Sequence, residues 1–176
     1  MGDKLFYDET DSPVGSLLMM SDGEKIVRID YGSIGHIPDK TKKWMKQYFN
    51  DPVLIHQPEK VNHVKNSLQH YFNTGQQEFT FDFKFYGTPF QKKVWQALYD
   101  AIPLGETRTY KDIAAAIDNP KAIRAVGGAV NRNPFSIVVP CHRVIGSNGK
   151  LIGYNGGLDK KEFLLAHERK FSGIVL

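Results

Sequence analysis

The tripeptide Gly87-Thr88-Pro89 does most to constrain this 176-residue chain, because glycine and proline interrupt strand and helix patterns alike and its two sides follow different rules. Ahead of it, Leu17-Leu18-Met19-Met20-Ser21 and Lys25-Ile26-Val27-Arg28-Ile29-Asp30-Tyr31 flank Asp22-Gly23. The second stretch alternates Ile26, Arg28 and Asp30 against Val27, Ile29 and Tyr31, which predicts a β-hairpin. Val61, Val64, Leu68, Tyr71 and Phe72 recur at helical spacing and Gly75 supplies a stop, so residues 59–73 read as a short amphipathic helix. Phe79, Phe81, Phe83 and Phe85 alternate with polar residues, the pattern of a half-buried strand whose aromatic stripe is a core face. Beyond the tripeptide, Phe90, Val94, Ala97, Leu98, Ala101 and Ile102 line one face of a helix ended by Pro103 and Gly105. The expected fold class is α+β. A small strand-rich α/β domain covers residues 1–86, and a mainly helical domain with a helix-turn-helix and a short active-site strand covers residues 87–176.

A hydrophobic content of 41% with 24% charged residues fits a folded chain. The single cysteine excludes a disulfide framework and cannot supply a cysteine-based zinc fold. Met1-Gly2-Asp3-Lys4-Leu5-Phe6 contains no secretory apolar core, and no apolar run is long enough to span a bilayer, so the expected location is cytoplasmic with no membrane partner. Charge is unevenly divided. Residues 1–85 hold 10 Lys+Arg against 12 Asp+Glu, a net of −2, whereas residues 86–176 hold 13 against 7, a net of +6. A basic second half suits a polyanionic partner or a solvated surface.

Thr109-Tyr110-Lys111-Asp112 matches a helix-start pattern, and Ile113 to Ile117 continues it. Asn119 as N-cap and Pro120 at the first position predict a second helix after a three-residue turn, giving a helix-turn-helix. That second helix carries Arg124-Ala125-Val126-Gly127-Gly128-Ala129, and its glycine pair costs about 2 kcal/mol of helix propensity against two alanines. Small residues on a helix face permit close approach by another backbone, either the protein's own core or a nucleic acid strand. Arg124 is the long cation projecting from its small-residue stretch, suited to insertion into a base stack.

Ile137-Val138-Val139-Pro140-Cys141-His142-Arg143-Val144-Ile145 is an apolar run broken by the most reactive residues in the chain. Cationic neighbours would favour the Cys141 thiolate, the nucleophilic form. In an extended segment Cys141 and His142 point to opposite faces, so a bridging water is the simplest relay between them. A basic histidine needs its other ring nitrogen held, and Glu168, near the end of the helix that begins at Leu158, is a candidate.

Pro140-Cys141-His142-Arg143-Val144 resembles the active-site signature of the O6-alkylguanine-DNA alkyltransferases, also called methylated-DNA-protein-cysteine methyltransferases. The resemblance runs from Gly87-Thr88-Pro89-Phe90-Gln91 and Val94-Trp95 through Arg124-Ala125-Val126-Gly127-Gly128-Ala129 to Gly156-Gly157-Leu158 and Leu164-Leu165-Ala166-His167-Glu168. It implies transfer of a methyl or other alkyl group from O6 of guanine, with O4 of thymine a further candidate, onto Cys141 in one irreversible turnover. His142 would deprotonate the thiol through water, oriented by Glu168, and Tyr110 would donate a proton toward N3 of the leaving guanine. Duplex DNA would be bound through its minor groove by Thr109, Arg124, Ala125, Gly127 and Gly128, with Arg124 filling the gap left by the flipped base. Val144, Tyr154, Asn155 and Gly156 would line the pocket, and Asn133 would hold the turn before the cysteine. Asn155 stands where other members often carry a smaller residue. The resemblance implies a monomer with no metal and no cofactor. Two other readings remain open on the residues alone: a cysteine hydrolase or acyltransferase using Cys141, His142 and Glu168, and a helix-turn-helix regulator without chemistry.

Overall fold

Asp22 organises the first hairpin. Its Oδ1 accepts hydrogen bonds from the backbone N–H groups of Glu24 (2.9 Å) and Lys25 (2.8 Å), and Gly23 takes a φ of +105° that favours glycine. The turn joins β2 (Leu17–Ser21) to β3 (Ile26–Tyr31), as the alternation predicts. The computed structural model describes residues 1–75 and 79–172 and divides the chain into two units, Met1–Tyr86 and Gly87–Leu176.

In the first unit β1 (Lys4–Thr10) pairs antiparallel with β2 and parallel with β4 (Val53–His56), giving a four-stranded mixed sheet in the order β3-β2-β1-β4. Every residue of β2 is buried, so this inner strand is covered on both faces. Leu5, Leu18, Met20 and Val27 pack with Trp44 and Met45 of α1 (Asp39–Tyr48). The Arg28 guanidinium lies 4.8 Å from the Trp44 ring centroid and donates to Asp30 at 2.6 Å, while the Thr41 hydroxyl donates to the same carboxylate at 2.6 Å. A buried cation and its counter-ion are thus satisfied together. The helix α2 (Asn62–Thr74) ends on Gly75 in the left-handed region at φ +71°, the stop that the sequence placed there.

The segment Phe79–Phe85 corrects one expectation. Its phenylalanines do turn inward, with successive rings in contact, but it forms only an isolated bridge, Ile26 to Phe83, and not a strand. Its ladder stops at two bonds, Ile26 N–H to Asp82 O (3.1 Å) and Lys84 N–H to Ile26 O (2.9 Å).

The second unit opens with α3 (Pro89–Ala101), started by a reciprocal cap between Thr88 and Gln91 with Pro89 in the first turn. Gly87 is obligatory here, since a Cβ would lie 2.6 Å from the Trp95 ring. The Trp95 indole N–H donates to Ala129 O at 2.8 Å and ties α3 to α5 (Ile123–Asn131). A second reciprocal cap, Thr109 with Asp112, starts α4 (Tyr110–Ala116).

The α4-to-α5 connection is longer than the predicted three residues. Asp118 adopts φ +58°, Asn119 N–H is taken by Ala114 O (3.0 Å), and Asn119 O accepts from Ala122 N–H (3.0 Å). Asn119 and Pro120 therefore lie in a turn instead of capping a helix, and α5 begins at Ile123. A two-stranded parallel ladder pairs β5 (Arg108–Thr109) with β6 (Val144–Ile145), and α6 (Leu158–Phe171) closes the unit. Among the described residues no helix is long and apolar enough to cross a membrane.

Candidate active site

Cys141 does not lie on a strand, as the apolar run suggested, but opens a 3₁₀ turn over Cys141–Arg143 that leads into β6. The turn exists because Asn133, 1% exposed at the end of α5, uses its side chain as a backbone substitute. Asn133 Oδ1 accepts from Phe135 N–H (2.9 Å), and Nδ2 donates to Phe135 O (3.2 Å), Val139 O (2.8 Å) and Cys141 Sγ (3.1 Å). Between these anchors Ile137 is held at φ +73°, a strained conformation for a β-branched residue. The apolar character of Ile137, Val138 and Val139 reflects full burial.

The 3₁₀ turn sends His142 and Arg143 to the same carboxylate. His142 Nε2 lies 2.6 Å from Glu168 Oε2, and Arg143 Nε donates to Glu168 Oε1 at 2.6 Å. All three side chains are at most 1% exposed. Arg143 also donates to Ile102 O at 2.7 Å. Burial opposes the Glu168 charge, but His142 and Arg143 outweigh it and hold the carboxyl well below the usual carboxylate range. An ionised carboxylate can only accept, so His142 carries its proton on Nε2 and Nδ1 holds the lone pair. Nδ1 is buried without a hydrogen-bond partner among the described residues. Burial pushes His142 below its ordinary value, despite the opposing pull of Glu168, and favours the neutral ring.

The thiol differs from expectation. Cys141 is 3% exposed, and burial raises its pKa, opposed by Asn133, by the charge of Lys161 and by a hydrogen bond with Tyr154. The expected activation by adjacent cations fails because Arg143 is committed to Glu168 and His142 is neutral. Lys161, which sequence reasoning missed, is fully buried. It sits on the inward stripe of α6 with Leu164, Leu165 and Glu168, and that helical spacing was the available signal.

The other candidates fall into two groups. Tyr110, half-buried, donates to Ile152 O at 3.2 Å; its phenol is pushed up by burial and by the charge of Cys141. Val144 is buried, and Tyr154, Asn155 and Gly156 are half-buried in a turn closed by Gly157 N–H to Tyr154 O (3.0 Å). On α5, Arg124, Ala125 and Gly128 are exposed, opposite buried Val126, Ala129 and Val130. Arg124 forms no hydrogen bond or ion pair among the described residues. Outside its own helix, a Cβ on Gly128 would meet nothing within 4 Å, and one on Gly127 would meet only the Tyr110 ring at 3.9 Å. The protein's own packing therefore does not require this glycine pair. Thr109 spends its hydroxyl on the α4 cap, accepting from Asp112 N–H at 3.0 Å. No cluster of three or more His, Cys, Asp or Glu suited to a metal occurs among the described residues.

Residues 89–170 match the family model described as 6-O-methylguanine DNA methyltransferase, DNA binding domain. The chain is 44% identical to a methylated-DNA–protein-cysteine methyltransferase of Haemophilus influenzae, over 94% of this chain and 87% of that protein. It is 41% identical to the constitutive enzyme of that name from Bacillus subtilis, over 93% and 95% respectively. A crystal structure of Mycobacterium tuberculosis OGT in complex with DNA superposes with a TM-score of 0.79 at 35% identity, covering 96% of this chain and 94% of that one.

Proposed function

The chain belongs to the methylated-DNA–protein-cysteine methyltransferase family, whose members repair O6-methylguanine in DNA directly, and on that premise we propose that Cys141 is itself the alkyl acceptor. The observation that carries this is the pairing of a single buried thiol with a neutral histidine whose Nε2 is fixed by Glu168 and whose Nδ1 lone pair is uncommitted. A thiol raised by burial needs a base at the moment of reaction. Through one water, His142 Nδ1 takes the Cys141 proton; the thiolate attacks the alkyl carbon in line, the S–C bond forms and the C–O6 bond breaks. The electron pair stays on the guanine, which accepts a proton at N3 from Tyr110. The balance is a thioether on the protein and a restored guanine, once the His142 imidazolium returns its proton through water to the Tyr110 phenolate and the guanine proton relocates from N3 to N1. A thioether, unlike a disulfide, is not displaced by another thiol, so each molecule acts once.

A guanine inside a duplex cannot reach a buried thiol, so the base must be flipped out. The exposed face of α5 suits the minor groove: Arg124 projects from it, and Gly128 leaves space that the protein does not fill. Val144, Tyr154, Asn155 and Gly156 receive the flipped base, the protein binds as a monomer, and no metal or cofactor takes part. Intact-protein mass spectrometry after incubation with an O6-methylguanine duplex should show one added methyl, located on Cys141, and none in Cys141→Ala. Multiple turnover, or transfer that persists in Cys141→Ala, would overturn the assignment.

A further inference from the structure

Lys161 is fully buried, yet no carboxylate pairs with it among the described residues. Its ammonium instead donates to three carbonyls: Val144 O at 2.5 Å, Ile152 O at 3.2 Å and Gly153 O at 3.3 Å. Two of these belong to the loop ahead of the Tyr154 turn, and the third belongs to the strand that directly follows the cysteine turn. Ile152 O also receives the Tyr110 hydroxyl at 3.2 Å. One cation therefore links the segments that carry the proposed nucleophile, the proposed pocket and the proposed proton donor.

A buried ammonium without an anion is costly, and carbonyl dipoles offset only part of that cost. Among the groups facing this site, Asn133 and His142 are neutral, the phenols of Tyr110 and Tyr154 are weak acids, and Arg143 is held by Glu168. The anion left to complement Lys161 is the thiolate that forms on Cys141 during the reaction. We propose that Lys161 is a positioning residue for alkyl transfer: it clamps the Val144, Ile152 and Gly153 carbonyls and serves as counter-ion to the Cys141 thiolate. The electrostatic coupling of the two groups has the matching sign at each, raising Lys161 and lowering Cys141 against the burial of both. The inference rests on Cys141 being the acceptor.

The single cysteine makes the test clean, because the carbon-13 shift of its Cβ in cysteine-labelled protein follows ionisation of Cys141 alone. In Lys161→Met the titration midpoint of Cys141 should rise by about one pH unit, which is roughly a tenfold loss of thiolate at a given pH. Saturated single-turnover transfer should slow about as much, while affinity for undamaged duplex stays unchanged. Lys161→Arg keeps the charge but not the three-carbonyl geometry, so it should hold the midpoint and still slow transfer through the displaced Ile152 carbonyl. A folded Lys161→Met with an unmoved midpoint, or Lys161→Arg with a midpoint as high as that of Lys161→Met, would overturn the proposal. Should Lys161→Met not fold, nitrogen-15 spectra of the wild-type lysine side chains decide. Lys161 should be a charged ammonium at neutral pH whose resonance moves when Cys141 is methylated, and a neutral amine or an unmoved resonance refutes the counter-ion role. A wild-type protein that gains no methyl would sink the acceptor assignment while leaving the Lys161 titrations interpretable.

Discussion

Replacing Glu168 with glutamine exchanges one oxygen for an amino group and tests the whole proton route. In the native protein both carboxylate oxygens accept at 2.6 Å, one from His142 Nε2 and one from Arg143 Nε. An amide has one acceptor and one donor end. Arginine can only donate, so the glutamine oxygen stays with Arg143 and the amino group turns toward His142. Nε2 must then accept, the ring proton moves to Nδ1, and the base is lost. A positioned general base contributes about 10²- to 10⁴-fold, so saturated single-turnover methyl transfer should fall by at least about 100-fold, or roughly 2.7 kcal/mol. Arg143 also loses its anion while remaining buried, and breaking such a pair costs about 3 to 5 kcal/mol of stability. Rapid-quench transfer, measured below the variant's unfolding transition and across a pH series, separates the two effects. Because burial raises the thiol's pKa, transfer by the variant should climb about tenfold per pH unit as solvent hydroxide replaces the base, while the native rate changes far less. A folded variant that transfers within about threefold of wild type would refute the argument, since a true base is worth at least about 10².

Gly128→Ala should stabilise the protein by about 0.5 to 1 kcal/mol, because nothing within 4 Å opposes the methyl, and yet weaken duplex binding if DNA approaches that face. Denaturant titration and a binding isotherm check the opposed signs, and unchanged affinity would remove Gly128 from the interface. Asn133→Ala leaves the N–H of Phe135 and the carbonyl of Val139 without their side-chain partner and releases the strained Ile137; a loss of roughly 2 to 4 kcal/mol with slower transfer is expected in chemical denaturation and single-turnover assays. Acid should destabilise the fold in two steps. The native pKa values of His142 and Glu168 are both depressed, so the unfolded chain binds more protons in each window and stability falls with pH. The His142 contribution starts to go below its ordinary value of 6.5 and the Glu168 contribution below 4.5, each lost as pH approaches the native value. Denaturant midpoints that stay level from pH 7 to about pH 5 would contradict the first step.

What the sequence made legible was chemistry settled within a few residues. The Asp22-Gly23 turn, the Gly75 stop and the Thr109 cap are local devices, and each appears where it was read, whereas the Thr88 cap, equally local, lay inside a tripeptide read only as a boundary. Three elements of the first unit escaped notice for the opposite reason. Of β1 only Leu5 and Asp8 are buried, β4 is four residues long and depends on β1 some 50 positions away, and lysine-rich α1 buries only Thr41, Trp44 and Met45. Such elements are specified by partners distant in sequence, which periodicity does not report. The cysteine segment misled because full burial gives a turn and a core strand the same apolar composition. Glu168 was nominated as a possible partner of His142, but its second bond, to Arg143, required the 3₁₀ turn that no pattern announced. Lys161 was overlooked, although its spacing places it on the inward stripe of α6, because a lysine in a helix ordinarily marks the solvent side.

The depth of Cys141 also bears on how the protein lasts before it is used. Oxidation by peroxide proceeds through exposed thiolates, and a sulfur that is 3% exposed with its proton held by burial offers little of either. A reagent that can be consumed only once loses its whole value to a single stray oxidation. Keeping the sulfur protonated and buried in the resting fold would confine its consumption to the arrival of an alkyl carbon beside the base and the cation already in place, so the molecule's working lifetime would follow encounters with damage more than ambient oxidants.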